Sequence, residues 1–271
     1  MSNFPWIRHP FRDPSGLEAE PLQVDVGPLR IRTRLRSSEL HVHQSRPSAG
    51  QKPGASPEVA GRLDEEPTVG WSRWALPGEV THLRLDPALP DRPVVVTPHE
   101  PFRLLDGAEA RIFVRVPLWA RVAVEPGSSH LLDTPSVIMS DTWWGDPMDG
   151  ELCYWLATSA RRAVEAHHFE PQLAITVLHM DNDSGQDLLV DRLALRVNHL
   201  SLFRRGYEIW SEETRVRYQG DDEGSLVEMT GRPPKEATGA EKLAPARTPA
   251  PRGIRARTFA RLKAISSVGT G

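Results

Sequence analysis

The residues best suited to chemistry fall into four small groups. His41-Val42-His43 places two imidazoles two residues apart on one strand face, a spacing that can chelate a transition metal. The continuation, Gln44-Ser45-Arg46-Pro47, supplies no glutamate to extend the set, and the seven later histidines show no matching spacing. Asp181-x-Asp183-x-Gly185-x-Asp187 has the alternating oxygen donors of a calcium loop, yet Arg192 stands where a bidentate glutamate would close it. The same Asn, Asp, Ser and Gly residues are what any hairpin tip requires. Asp141, Asp146, Asp149 and Glu151 crowd a tryptophan-rich segment and offer paired carboxylates for acid–base work. Carboxylates flanking a turn also satisfy local backbone N–H groups. Cys153 is the single cysteine, and no histidine stands at a spacing that would make it a nucleophile; a lone strand cysteine reads as a small buried hydrophobe.

Around these groups the chain reads as strands and turns. Leu29 to Arg36 alternates, with Leu29, Ile31, Thr33 and Leu35 on one face and four arginines on the other. That period of two predicts a half-buried strand. Further strand candidates recur at short intervals from Trp71 to about residue 230, separated by Pro-Gly, Asp-Pro and Asp-Gly punctuation, which points to an all-β sandwich or barrel. Residues 172–197 look like the clearest hairpin, Leu173 to Met180 returning as Leu188 to Val197 over a polar tip. Ile112, Val114, Val116, Ile138, Ile175, Val177 and Leu195 are expected on inner faces. Asp141 to Leu156 holds three of the eight tryptophans around the turn Gly145-Asp146-Pro147-Met148-Asp149-Gly150.

Composition limits the function. The formal charge is −3 over 271 residues, so nothing in the whole chain argues for nucleic acid. One cysteine excludes an intrachain disulfide framework and a cysteine zinc cluster. With 25 prolines and 20 glycines, many short elements are favoured over long helices. No window approaches the roughly 20 apolar residues of a membrane span, and the N-terminus lacks the pattern of a secretory signal. A cytoplasmic protein is the expectation.

Four regions follow: an N-terminal extension (1–20), a β region (21–230) with a mobile insertion at 45–67, a Pro- and Ala-rich disordered linker (231–251), and a basic tail (252–271). In the tail Ala256, Phe259, Leu262 and Ile265 recur at helical spacing among basic residues, which predicts a short amphipathic helix. Arg255, Arg257, Phe259, Arg261 and Leu262 are its candidate contacts to an anionic membrane surface or a partner groove.

Gly145-Asp146-Pro147, Gly150, Cys153 and Trp155 resemble the Gly-Asp-Pro…Gly…Cys…Trp signature of an archaeal and bacterial domain-of-unknown-function family. The resemblance spans roughly residues 25 to 230 and departs at the insertion and at Trp143-Trp144. It implies a compact β-sandwich whose genes lie near those of mechanosensitive channels, and it carries over no catalytic residue.

The leading expectation is a non-catalytic antiparallel β-sandwich that binds a protein partner, such as a membrane channel, with no cofactor. Two alternatives stand beside it. One is a cupin-like metal enzyme using His41 and His43; the other is a carbohydrate-binding module using Trp143, Trp144 and Trp155. No Gly-rich phosphate loop, G-x-S-x-G or His-Glu-x-x-His motif supports an enzyme.

Overall fold

The computed structural model describes residues 6–11, 21–36, 38–46, 70–76, 78–127, 130–220, 225–250, 254–256 and 258–259. The insertion predicted at 45–67 lies outside them from residue 47 onward, as does the extension before residue 6 and at 12–20. Among the described residues the chain is all-β, with three single-turn 3-10 helices as its only helical elements.

The alternating arginine strand forms as its pattern dictates. Leu29–Arg36 buries Leu29, Ile31 and Thr33 and pairs antiparallel with Leu22–Val26 and Glu39–Ser45, beyond which lies Trp71–Ala75. Three of its four outward arginines are matched across the sheet: Arg30 meets Asp25 at 2.7 Å, Arg32 meets Gln23, and Arg34 lies 4.3 Å from the Trp71 ring.

A larger mixed sheet is built on Leu173–Asn182, whose first six side chains are all buried. A strand covered on both faces needs apolar groups on both, and LAITVL supplies them. On one edge it pairs antiparallel with Glu109–Pro117, from Leu173 opposite Pro117 to Asp181 opposite Glu109. The other edge carries Glu208–Ser211 and then Thr214–Tyr218, both parallel to it. The chain shifts between these two at Glu212 and Glu213, whose carboxylates are buried at the break. Purely antiparallel pairing, the expectation from short strands and turns, is therefore corrected.

The hairpin expected over 172–197 is corrected too. Leu188–Val190 pairs with Phe102–Leu104, and Leu193–Leu195 with Val94–Val96. Asn182 is the cause. Its buried amide donates to Leu104 O at 2.8 Å and Gln186 O at 2.7 Å, which turns the chain out of the central sheet. Of the seven expected inner-face residues only Ile138 is exposed, because it sits in the crossing between His130–Pro135 and Ser140–Trp144.

Residues 231–250 do not behave as a coreless linker. Glu241–Ala244 adds to the edge at Leu202–Arg205, Ala237 and Ala244 are buried, and Arg247 grips Asp133 and Leu89 O. Edge pairing is made by backbone groups and needs little apolar mass, so composition hid it. The tail likewise forms no helix among the described residues. Ile254–Ala256 is a strand on Ser225–Met229, and Phe259 is buried with its ring 5.4 Å from Tyr218. An open sheet edge has overridden a short helical spacing. Residues 260–271 lie outside the described residues.

Candidate functional site

The tryptophan segment folds as the hairpin Ser140–Trp144 and Glu151–Trp155, with Thr142 opposite Cys153 and Trp143 opposite Leu152. Period two sends Trp144 and Cys153 inward, where they meet Val95 and Ala194 in a small core of their own. Burial, then the charge of Glu151, pushes the Cys153 thiol up to about 12, so it stays a protonated, unreactive packing group at neutral pH. Trp143 and Leu152 point the other way, into solvent.

The turn explains the glycines. Gly145 has φ 107°, a conformation that L side chains resist. Gly150 has a different reason to be glycine: a Cβ there would lie 2.3 Å from Trp143 Nε1 and 2.7 Å from Asp146 O. The indole is laid across the turn and donates to Asp146 O at 3.0 Å. The ring is thereby fixed, with about half its surface left open (52%).

Around it the apolar exposure is concentrated. Of seven large exposed hydrophobic side chains among the described residues, four (Trp143, Met148, Leu152 and Trp155) fall in this hairpin, Trp155 on the Cys153 face, and Ile138 stands two residues before it. Scattered apolar groups are normal on a surface, whereas a cluster marks a contact site. Ser140–Trp144 is also an edge strand, hydrogen-bonded on one side only among the described residues. The rim is acidic. Asp141 pairs with Arg92 at 3.2 Å, Glu151 pairs with Arg196, and Asp91 accepts the Tyr154 hydroxyl at 2.9 Å. Burial and then the Asp91 hydrogen bond raise the Tyr154 pKa, keeping that hydroxyl a donor. With Asp149 at the turn, four carboxylates stand against these two guanidiniums.

A family model for proteins of unknown function, DUF432, matches residues 13–263. The chain belongs to DUF432. No curated protein and no solved structure matches it.

Other sequence candidates are placed as follows in this DUF432 protein. His41 is buried, 3.0 Å from Glu39, and His43 packs on Trp71 with ring centroids 5.5 Å apart. Arg34 bonds to His41 at 3.4 Å, and burial followed by Arg32 lowers the His43 pKa. The pair thus sits in an arginine-rich face. Asp183 lies 3.5 Å from Arg217 and Asp187 is exposed, so the calcium-like loop does not converge; only Asp181 joins other potential ligands. In the tail, Arg255 stands opposite Leu226 and Phe259 is core, while Arg257, Arg261 and Leu262 lie outside the described residues.

A cleft of about 450 Å³ is lined by His99, Phe102, Arg161, Arg162, Glu165 and His168, among others. Its one buried imidazole, His168, accepts the Glu165 N–H at 2.9 Å and caps the Ala166–His168 turn. Burial first, then His167, Arg161 and Arg115, lowers its pKa and keeps it neutral. That role is structural. The DUF432 residues that sequence reasoning missed are Glu109 and His179, which lie beside Asp181. His179 shares the strand of Asp181 at a visible spacing of two, but Glu109 arrives only through pairing of strands that sets it beside His179, 70 residues away in sequence.

Proposed function

We infer that this protein is a non-catalytic binding module, and that its contact surface is the tryptophan hairpin. The observation that carries this reading is the gathering of four of the seven large exposed apolar side chains among the described residues on one edge hairpin, with a fifth, Ile138, two residues before it. The partner that fits is a protein segment in extended conformation with apolar and basic side chains. Its backbone would add to the free edge of Ser140–Trp144, its apolar groups would cover Trp143 and Leu152, and its positive charges would meet the acidic rim. The channel-accessory role suggested by the family resemblance makes that partner a membrane channel. An anionic lipid surface suits this face poorly, since like charges would oppose each other there.

The test is recovery of a defined partner from the native cell by the full-length protein and by a Trp143→Arg, Leu152→Arg double variant with an unchanged circular dichroism spectrum. A photo-crosslinker at Met148 should capture the same partner, which the double variant should lose. Retention by the double variant, crosslinking only from a control position at Tyr207, or an indole shift with oligosaccharides in place of protein would each overturn it.

A further inference from the structure

The central strand leaves its apolar pattern near its C-terminal end, where His179 and Asp181 alternate with buried Leu178, Met180 and Asn182. Period two puts both on one face. Asp181 stands opposite Glu109 across the antiparallel ladder, and His179 opposite Arg111. Register therefore brings together three metal-capable side chains. His179 Nε2 lies 3.1 Å from Glu109 Oε2 and 3.6 Å from Asp181 Oδ1. One donor atom from each of the three lies within 4.8 Å of the others. Two bonds of about 2.1 Å to a shared ion hold their donor atoms roughly 3.0–3.4 Å apart.

Hydrogen bonding alone leaves this cluster incomplete. When Nε2–H donates to Glu109, both His179 Nδ1 and Asp181 Oδ1 are buried without a hydrogen-bond partner. A cation shared by Nε2, Glu109 Oε2 and Asp181 Oδ1 satisfies the orphan oxygen and leaves the proton on Nδ1. That atom faces Glu213 Oε1 at 3.9 Å. A carboxylate behind a metal-bound imidazole is the usual orienting partner. Glu213 is positioned for this by the chain break at the strand shift and by Arg111 at 3.0 Å.

Charge agrees. Glu109, Asp181, Glu213 and Glu236 bring four negative charges, and Arg111 and Arg215 bring two positive, leaving a surplus of two. One imidazole with two carboxylates is a mixed donor set that suits zinc or manganese better than a hard-oxygen calcium cage.

We propose that Glu109, His179 and Asp181 bind one divalent transition ion of the zinc or manganese class, with Glu213 orienting His179. Water completes the shell on the side where Glu109 is exposed.

The experiment is isothermal titration and metal analysis after dialysis of the untagged full-length protein against Zn²⁺ and Mn²⁺. One equivalent is expected for the natural chain. His179→Ala and Asp181→Asn should abolish it, and Glu109→Gln, at the most exposed ligand, should weaken it by at least about tenfold while leaving the circular dichroism spectrum unchanged. A His41→Ala, His43→Ala variant should keep the full equivalent. No saturable binding by the natural chain would overturn the proposal, leaving His179 as a hydrogen-bonding partner of Glu109. Binding that follows His41 and His43, or that survives Glu109→Gln and Asp181→Asn unchanged, would do the same.

Discussion

The tryptophan hairpin and the central sheet arrange the same kinds of residue in opposite ways. In the central sheet the aliphatic side chains are inside, and several outward charges are ion-paired, as Arg111 with Glu213 and Arg217 with Asp183. In the hairpin Trp144 and Cys153 share a core of four residues with Val95 and Ala194, while Trp143, Met148 and Leu152 lie outside beside an acidic rim. Stability accounts for the first arrangement. It does not account for the second, because Met148 stands in water and Leu152 and Trp143 are only partly covered. What the difference teaches is where to look for binding: at the element whose exposed mass its own folding does not need.

Leu178→Ala and Leu152→Ala give the widest expected separation between the two regions. The first empties a fully buried site in the large core and should cost about 2–5 kcal/mol in urea unfolding. The second should stay within about 0.5 kcal/mol. Equal losses would show that the hairpin is packed against something it needs, and the contrast would break.

Gly150→Ala should have an intermediate effect. Its new methyl must displace the Trp143 indole or the Asp146 carbonyl, at about 1–3 kcal/mol by thermal melting, with a shift in tryptophan emission as the ring lifts from the turn. A silent substitution would mean that Trp143 is not laid across the turn.

The smallest effect concerns pH. Burial raises the Asp133 carboxyl, but hydrogen bonding and charge from Arg247, then Arg121, more than offset it and hold its pKa below the ordinary range. A depressed native pKa stabilises the fold above the unfolded value of about 3.9, and that contribution is lost as pH falls through the native value. Acid titration of stability should therefore be flatter in Asp133→Asn than in the natural chain. The Asp133 grip belongs to neither region, so the hairpin's emission should not follow this transition; if it does, the two regions unfold as one.

Much of the strand content was legible because alternation is local. Leu29–Arg36 and Glu109–Pro117 could be read from their own residues. Pairing could not. Leu188–Val190 has an apolar run that suits any neighbour, and its true partner was decided by the Asn182 amide reaching Leu104. The tryptophan segment was legible as a turn flanked by strands, with Cys153 buried as expected. Which indole would face out was not, since Trp143 and Trp144 are adjacent and only the register against Cys153 separates them. Glu109 carried no signal by itself, because its value lies wholly in standing across from Asp181.

The latch made by Arg247 on Asp133 spans 114 residues, and the parallel run of Thr214–Tyr218 beside Leu173–Asn182 also joins distant parts of the chain. Long-range closures of this kind slow folding, because loop entropy is spent before contacts return it. During synthesis the first two hundred residues leave the ribosome with the edge of their largest sheet still bare. A nascent chain of this architecture therefore depends on its final quarter to seal that edge, and shelter by a chaperone until then would protect it from pairing with its neighbours.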